Sequence, residues 1–226
     1  MNKTIAILIP AYNESSVLRK VVEQLLLNSY TIIIVDDGSD MPMKDHLMGL
    51  PVITLKHPVN LGQGASLQTG LDYLKKLDPD IVITFDGDGQ HDGNDIPKLI
   101  EPILKDEADV VLGSRFLPET KSSIPFSKKI VLQIARFVNF ILSGVLLSDA
   151  HNGLRAMNKN AWKNIRITEN RMAHASEILF EIKKHQLRIR EVPVNIQYSQ
   201  YSKEKGQSAW DSIKVLFDLV LHKLFK

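Results

Sequence analysis

The sequence predicts an α/β fold, a mostly parallel sheet covered by helices on both faces, on the strength of three features. Up to Gly113, short β-rich runs alternate with helix-like segments, the pattern produced by parallel strands joined through crossover helices. The runs Ile32 to Val35 and Ile81 to Ile83 are apolar without a break, as strands buried on both faces are. Both runs lead into acidic residues, Asp36-Asp37-Gly38-Ser39 and Asp86-Gly87-Asp88, and ligands of open α/β sheets bind beyond the carboxyl ends of the strands.

Taken in order, strands are expected at Thr4 to Ile9, Thr31 to Asp36, Val52 to Lys56, Ile81 to Asp86 and Asp109 to Gly113. The first helix spans Ser15 to Asn28, with Val17, Leu18, Val21, Val22, Leu25 and Leu26 on one face at helical spacing. A second runs from about Gly64 to Leu77. A third runs from about Asn94 to Lys105, with Pro97 tolerated in its first turn. Asp78-Pro79-Asp80 reads as a turn with a helix stop, because it precedes a strand.

The 226 residues suit one domain, expected over 1–210, with a C-terminal amphipathic helix over 211–226. Hydrophobic residues at 44% and charged residues at 24% exclude a disordered or fibrous chain. A formal charge of +2 argues against a nucleic-acid binder that relies on a strong basic field. The absence of cysteine excludes disulfides and thiolate chemistry. No signal-peptide pattern opens the chain, and the longest uncharged apolar stretch, Phe137 to Ser148, is too short to span a bilayer. Membrane contact is therefore expected to be peripheral or through a partner.

Beyond Gly113 two cationic apolar segments stand out. Residues 122–148 carry Ile130, Val131, Ile134, Phe137, Val138, Ile141 and Leu142 beside Lys128, Lys129 and Arg136. After Gln207, Ile213, Leu216, Phe217, Val220, Leu221 and Leu224 recur among Lys214, Lys223 and Lys226. Each pattern suits a helix packed on the core or at a homo-oligomer interface, and equally one lying on a membrane surface.

Asp86 and Asp88, at i and i+2 of an extended chain, project to one side, and Gly87 lets a ligand approach the backbone. Such a pair holds a divalent cation through oxygen, leaving positions for two phosphates; alternatively it is a solvated turn. Asp36-Asp37-Gly38-Ser39 offers a carboxylate for a base N–H or a ribose hydroxyl, or forms an ordinary turn. Pro10-Ala11-Tyr12-Asn13-Glu14 offers an aromatic face and a carboxylate, with Asn13 or Ser15 as a possible helix N-cap. Asn60-Leu61-Gly62-Gln63-Gly64-Ala65 lacks both the third glycine of a dinucleotide fingerprint and the Gly-Lys-Ser/Thr of a P-loop. Arg115, in Gly113-Ser114-Arg115, is a candidate for pairing with a diphosphate. Glu177 and Glu181 lie one helical turn apart; Glu177 either faces an acceptor or belongs to a surface pair.

Together these segments resemble the family-2 glycosyltransferases, and within them the dolichol-phosphate mannosyltransferase-like branch. The likeness is carried by the motifs just quoted, extended to Asp86-Gly87-Asp88-Gly89-Gln90-His91, and by Asp149-Ala150-His151-Asn152-Gly153-Leu154-Arg155 and Glu191-Val192-Pro193-Val194, over residues 4 to about 210. It implies a Rossmann-like GT-A fold and inversion at the anomeric carbon. Donor binding is implied for Pro10, Tyr12, Glu14, Val35, Asp37, Asp86, Gly87, Asp88, Gln90 and Arg115, with Asp86 and Asp88 also serving Mg²⁺ or Mn²⁺. Where the branch shows a basic residue, then Gly-x-Ser followed directly by lysine, this chain has Ser202-Lys203-Glu204-Lys205-Gly206-Gln207-Ser208-Ala209. The final lysine is missing; Lys203 holds the first basic position and Lys205 substitutes for the lost charge in a loop closing over donor phosphates, unless that loop is simply a solvated one.

The function this resemblance implies is metal-dependent transfer of a sugar from a nucleotide diphosphate to a polyprenyl phosphate, on the cytoplasmic face of a membrane or beside a small membrane subunit. A phosphate oxygen is already anionic at neutral pH and needs little general-base help. The rivals are transfer to a sugar hydroxyl, which needs a base such as Glu177, and a non-catalytic subunit that binds nucleotide sugars.

Overall fold

Seven strands form one sheet in the order β3-β2-β1-β4-β6-β5-β7. The structure, a computed structural model, describes residues 3–120, 140, 144, 146–149, 152–171 and 173–197. Its elements run β1 (Ile5–Ala11), α1 (Ser15–Leu25), β2 (Thr31–Asp36), α2 (Met43–His46), β3 (Ile53–Lys56), α3 (Gln63–Leu77), β4 (Ile81–Thr84), a 3-10 turn (Gly93–Asp95) and α4 (Ile96–Leu104). Then follow β5 (Val110–Ser114), β6 (Arg155–Asn158), α5 (Lys159–Asn164), α6 (His174–Lys184) and β7 (Ile189–Pro193). The segment 211–226 lies outside the described residues, as do 122–139, 141–143 and 145 of the segment 122–148.

The apolar strands sort their side chains by parity, because successive residues point to opposite faces. Ile7, Ile9, Ile32, Ile34, Ile81 and Ile83 face α1 and α4, meeting Leu18, Val22, Leu25, Ile96 and Leu99. Ala6, Leu8, Ile33, Val35, Val82 and Leu112 face the other way, onto Leu67, Leu71 and Leu74 of α3, Trp162 of α5 and Leu179 of α6. The unbroken apolar runs in the sequence are therefore strands with a core on each side. Trp162, fully buried, also donates its indole N–H to the Pro79 carbonyl at 3.1 Å and so ties α5 to the start of β4.

β1 pairs in parallel with β2 on one side and β4 on the other. The chain builds outward through β2 to β3, then returns to the far side of β1, which puts the topological switch point between β1 and β4. β6 enters between β4 and β5, antiparallel to both. Its first residues thus lie at the edge where the other strands end.

Element boundaries differ from the expected ones for local reasons. β1 continues to Ala11, which pairs with Asp36. β4 stops at Thr84; Phe85 still donates to the Leu8 carbonyl at 3.0 Å, and Asp86 leaves the sheet. The N-cap of α1 is Glu14, without a side-chain cap bond; Asn13 sits at φ 54° and exchanges two 3.0 Å hydrogen bonds with Asp40. Asp78 ends α3 in the left-handed conformation, its carboxylate between Lys159 and Lys163.

Candidate active site

The carboxyl edge of the sheet at the switch point gathers most of the residues singled out from sequence. Asp36 and Asp37, adjacent at the end of β2, do different work. The buried Asp36 carboxylate accepts the backbone N–H of Ser39 at 2.9 Å and of Met43 at 3.1 Å, closing the turn. Asp37 accepts from Leu61 N at 3.0 Å and Gly62 N at 2.7 Å, and lies 2.7 Å from His57 Nδ1, whose Nε2 is 2.9 Å from Thr69 Oγ1. These contacts use three of its roughly four lone-pair positions and fix the Asn60–Gly62 turn onto α3.

That anchoring places Gln63, in the first turn of α3, where its amide donates to Asp86 Oδ1 at 2.9 Å. Gly64 beside it has no space for a Cβ, because the Glu169 carbonyl and the His174 side chain pack directly on it. The Ala65 N–H donates to the Asn170 carbonyl at 3.2 Å. The 169–170 loop is held in turn by Glu177, whose carboxylate accepts the N–H of Thr168 and Glu169 at 2.9 Å and the Thr168 hydroxyl. Glu177 is thus brought to the loop against α3. Glu177→Ala is expected to loosen this loop and lower stability by about 1–3 kcal/mol, as measured by urea unfolding.

Asp86 is partly exposed; His91 Nε2 lies 3.0 Å from its Oδ2. Burial opposes its charge, but the His91 hydrogen bond and the charges of His91, Arg155 and His174 outweigh that and hold the carboxyl below its usual range. Asp88 is displaced the opposite way: burial and then the Asp86 charge push it up, against hydrogen bonds from Gln90 N at 2.9 Å and Gln90 Nε2 at 2.5 Å. The pair repels, and among the described residues no lysine or arginine lies within ion-pair distance of Asp88. Gly153 seats Asp86: a Cβ there would overlap the carboxylate. Gly153→Ala is therefore expected to displace Asp86 and to weaken divalent-cation binding about tenfold or more, read by Mn²⁺ titration.

On the far side, Arg115 forms a two-pronged pair with the buried Asp149, Nε to Oδ2 at 2.6 Å and Nη2 to Oδ1 at 2.8 Å, and its backbone N–H donates to the same carboxylate at 3.1 Å. Asp149 is set by Glu191 of β7, which accepts from Ser148 N at 2.9 Å, Ser148 Oγ at 2.7 Å and Asp149 N at 3.1 Å. The ends of β5 and β7 are thereby tied to the residues that lead into β6.

Among the remaining donor-site residues, Tyr12 is 42% exposed beside the switch point and Pro10 lies in β1 opposite Val35. Val35 is wholly buried, so its side chain supports the edge from below. A Cβ on Gly87 would come 2.5 Å from Glu14 Oε2, which places Glu14 beside the Asp86–Asp88 turn. Gln90 is linked to the chain after β7: Gln197 N–H donates to its carbonyl at 2.9 Å and His91 bridges to Ile196. Lys203 and Lys205 lie outside the described residues.

Gln63, His91, His174, Arg155 and Glu191 were not singled out from the sequence, yet each touches or electrostatically biases an acidic group of this edge. Arg155 is 3% exposed; burial pulls its pKa down to about 10 while Asp86 and Asp149 push it up. For Gln63, His91, Arg155 and Glu191 the signal lay in their membership of the quoted motifs; His174 lies in none of them.

The glycosyl transferase family 2 model matches residues 6–166. A protein of Methanococcus voltae named UDP-N-acetylglucosamine--dolichyl-phosphate N-acetylglucosaminyltransferase is 35% identical, the alignment covering 100% of this chain and 98% of that one. The dolichol-phosphate mannosyltransferase of Pyrococcus furiosus is 27% identical over 96% of this chain and 63% of its own. Among solved structures, the glucosyl-3-phosphoglycerate synthase of Mycobacterium tuberculosis, crystallised with Mn²⁺ and UDP, matches with a TM-score of 0.72 at 17% identity, over 96% of this chain and 80% of that one. That likeness is one of fold.

Proposed function

Because this chain belongs to glycosyl transferase family 2, we propose that it moves a sugar from a nucleoside-diphosphate donor to a polyprenyl phosphate, with inversion at the anomeric carbon. It has the GT-A fold and is a glycosyltransferase. The observation that carries the reading is the Asp86–Asp88 pair, two mutually repelling carboxylates at the switch point.

The residues fit a divalent cation, Mg²⁺ or Mn²⁺. Both carboxylates keep acceptor capacity beyond their protein hydrogen bonds. Among the described residues no group of three or more His, Cys, Asp or Glu side chains forms a complete cage. A two-carboxylate site leaves coordination positions to phosphates and water, the usual arrangement for Mg²⁺. When bound, the cation neutralises charge on the departing diphosphate.

The chain's own residues do the positioning. Tyr12 offers its exposed ring to the base, while Pro10, Glu14 and Asp37 shape the wall around it and the buried Val35 supports that wall from below. Arg115, its plane set by Asp149, meets a substrate phosphate. An acceptor phosphate oxygen attacks the anomeric carbon as the bond to the diphosphate breaks, and the nucleoside diphosphate leaves; no proton has to be removed first. Lys203 and Lys205 follow Gln197, which is pinned to Gln90. Six extended residues reach roughly 20 Å, enough to bring these lysines over donor phosphates held near Asp88.

We place the protein at the cytoplasmic face of a membrane, supported by the lipid acceptor and by the cationic apolar segments at 122–148 and 211–226. No helix among the described residues is long and apolar enough to cross a membrane.

The first donor and acceptor to assay are those in the name of the 35% identical relative, UDP-N-acetylglucosamine and dolichyl phosphate. Calorimetry of UDP, GDP and dTDP with and without Mn²⁺ is expected to show strong metal-dependent binding of one nucleotide, and a detergent assay to show sugar joined to the lipid phosphate. Folded protein that binds no nucleotide under any condition would refute the reading.

A further inference from the structure

Two neighbouring residues at the start of β6 carry hydrogen-bond donors that the protein does not use. Asn152 and Arg155 are each 3% exposed. Asn152 Oδ1 accepts the Leu154 N–H at 3.0 Å, and the Asn152 carbonyl accepts Arg155 Nε at 3.0 Å. These bonds fix both side chains. Asn152 Nδ2 is nonetheless enclosed without a partner. Among the described residues the Nε bond is the single side-chain hydrogen bond of Arg155, and no carboxylate lies within ion-pair distance of its guanidinium. Asp86 and Asp149 act on its guanidinium only through their field.

A guanidinium has five N–H donors and an amide two; leaving the enclosed Asn152 amide donor unpaired is costly, while the Arg155 Nη groups are not among the enclosed unpaired atoms and are open to a ligand. The location says what would satisfy them. Arg155 lies in register with Thr84 of β4 and Leu112 of β5, at the carboxyl edge. Gly153, between the two residues, is in contact with the Asp86 carboxylate. Asp86 and Asp149 act on Arg155, and Asp149 is itself paired with Arg115. A divalent cation at Asp86 and Asp88 would offset the Asp86 charge that now acts on Arg155. The edge then attracts an anion, and the vacant donors of Asn152 and Arg155 are those that meet it.

We propose that Asn152 Nδ2 and the Arg155 guanidinium form a phosphate-binding pocket beside Asp86. This rests on the glycosyltransferase reading for the source of the phosphate, which is either the donor diphosphate or the acceptor lipid phosphate; planar bidentate contact suits both.

The test uses the full chain, Arg155→Met and Asn152→Asp, the second keeping size and the acceptor for Leu154 while replacing the amide donor by a negative charge. Binding of UDP, uridine, inorganic pyrophosphate and inorganic phosphate is measured by calorimetry with Mg²⁺, and KM is measured for dolichyl phosphate. Weakening of UDP and pyrophosphate by about tenfold or more, with uridine unchanged, assigns the pocket to the donor. Unchanged UDP, weaker inorganic phosphate and a tenfold rise in KM for dolichyl phosphate assign it to the acceptor. Folded variants that match wild type in every arm overturn the pocket and leave the glycosyltransferase reading standing. Wild-type protein that binds pyrophosphate through these residues but no nucleotide keeps the pocket and sinks the other reading; wild-type protein that binds neither pyrophosphate nor phosphate overturns the pocket. Should Arg155→Met fail to fold, Asn152→Asp decides.

Discussion

Asp88→Asn is expected to abolish metal-dependent nucleotide binding and to cut turnover about 10³-fold, the several kcal/mol that a cation contributes at a leaving diphosphate. Stability should move the other way. The Asp88 carboxyl is pushed up by burial and by the Asp86 charge, so an uncharged amide of the same shape removes a repulsion, keeps the acceptor for Gln90 N–H and meets the Gln90 side-chain amide once that amide turns its oxygen toward the new NH2. Thermal unfolding without metal is expected at the same temperature or higher, and calorimetry with Mn²⁺ should show no nucleotide binding. A variant that lost activity through misfolding would show both falling together. The opposition of the two readouts is what marks a functional carboxylate.

Asp149→Ala is expected to cost about 3–5 kcal/mol, because it leaves the Arg115 guanidinium, 9% exposed, without the carboxylate that now takes two of its nitrogens and its backbone N–H. For a chain of this length that lowers the melting temperature on the order of 10 °C, measurable by circular dichroism. Activity at a permissive temperature should fall further than stability alone accounts for, since the plane of Arg115 is no longer set. Glu191→Gln, which keeps two polar atoms near Ser148, should give a milder form of both effects.

What the sequence made legible follows the range of the interactions involved. Thr31 to Asp36 reads as a strand from its apolar run, and it is β2 residue for residue. Asp86 and Asp88 stand out because they follow another such run. The helix expected from about Asn94 to Lys105 differs chiefly in its first turn, which is 3-10 from Gly93 to Asp95; α4 then runs to Leu104, with Lys105 as its C-cap. β6 is different. Arg-Ala-Met-Asn neither alternates nor forms an apolar run, and it becomes a strand through pairing with β4 and β5, residues 81–84 and 110–112. The contacts of Asp86 come from Gln63 and His91, and its field from Arg155 and His174; no local pattern announces a set drawn from four places. Asp37 was legible as an acidic residue at a strand end, whereas its engagement by the 57–62 turn depends on how β3 feeds α3.

The antiparallel entry of β6 also bears on how proteins of this architecture diversify. Val110 pairs with Met157 and Leu112 with Arg155, so the sheet clamps both ends of the connection between β5 and β6, with Arg115, Asp149 and Gly153 fixed near its ends and residues 121–146 between them. Lengthening a clamped stretch costs little, about 0.6 kcal/mol per doubling. Among the described residues, the contacts of Asp37, Asp86 and Asp88 come from outside residues 121–146. Exchange of this cassette between related chains is therefore expected to retune the choice of acceptor while the nucleotide half persists, a modular route to new lipid-linked sugars.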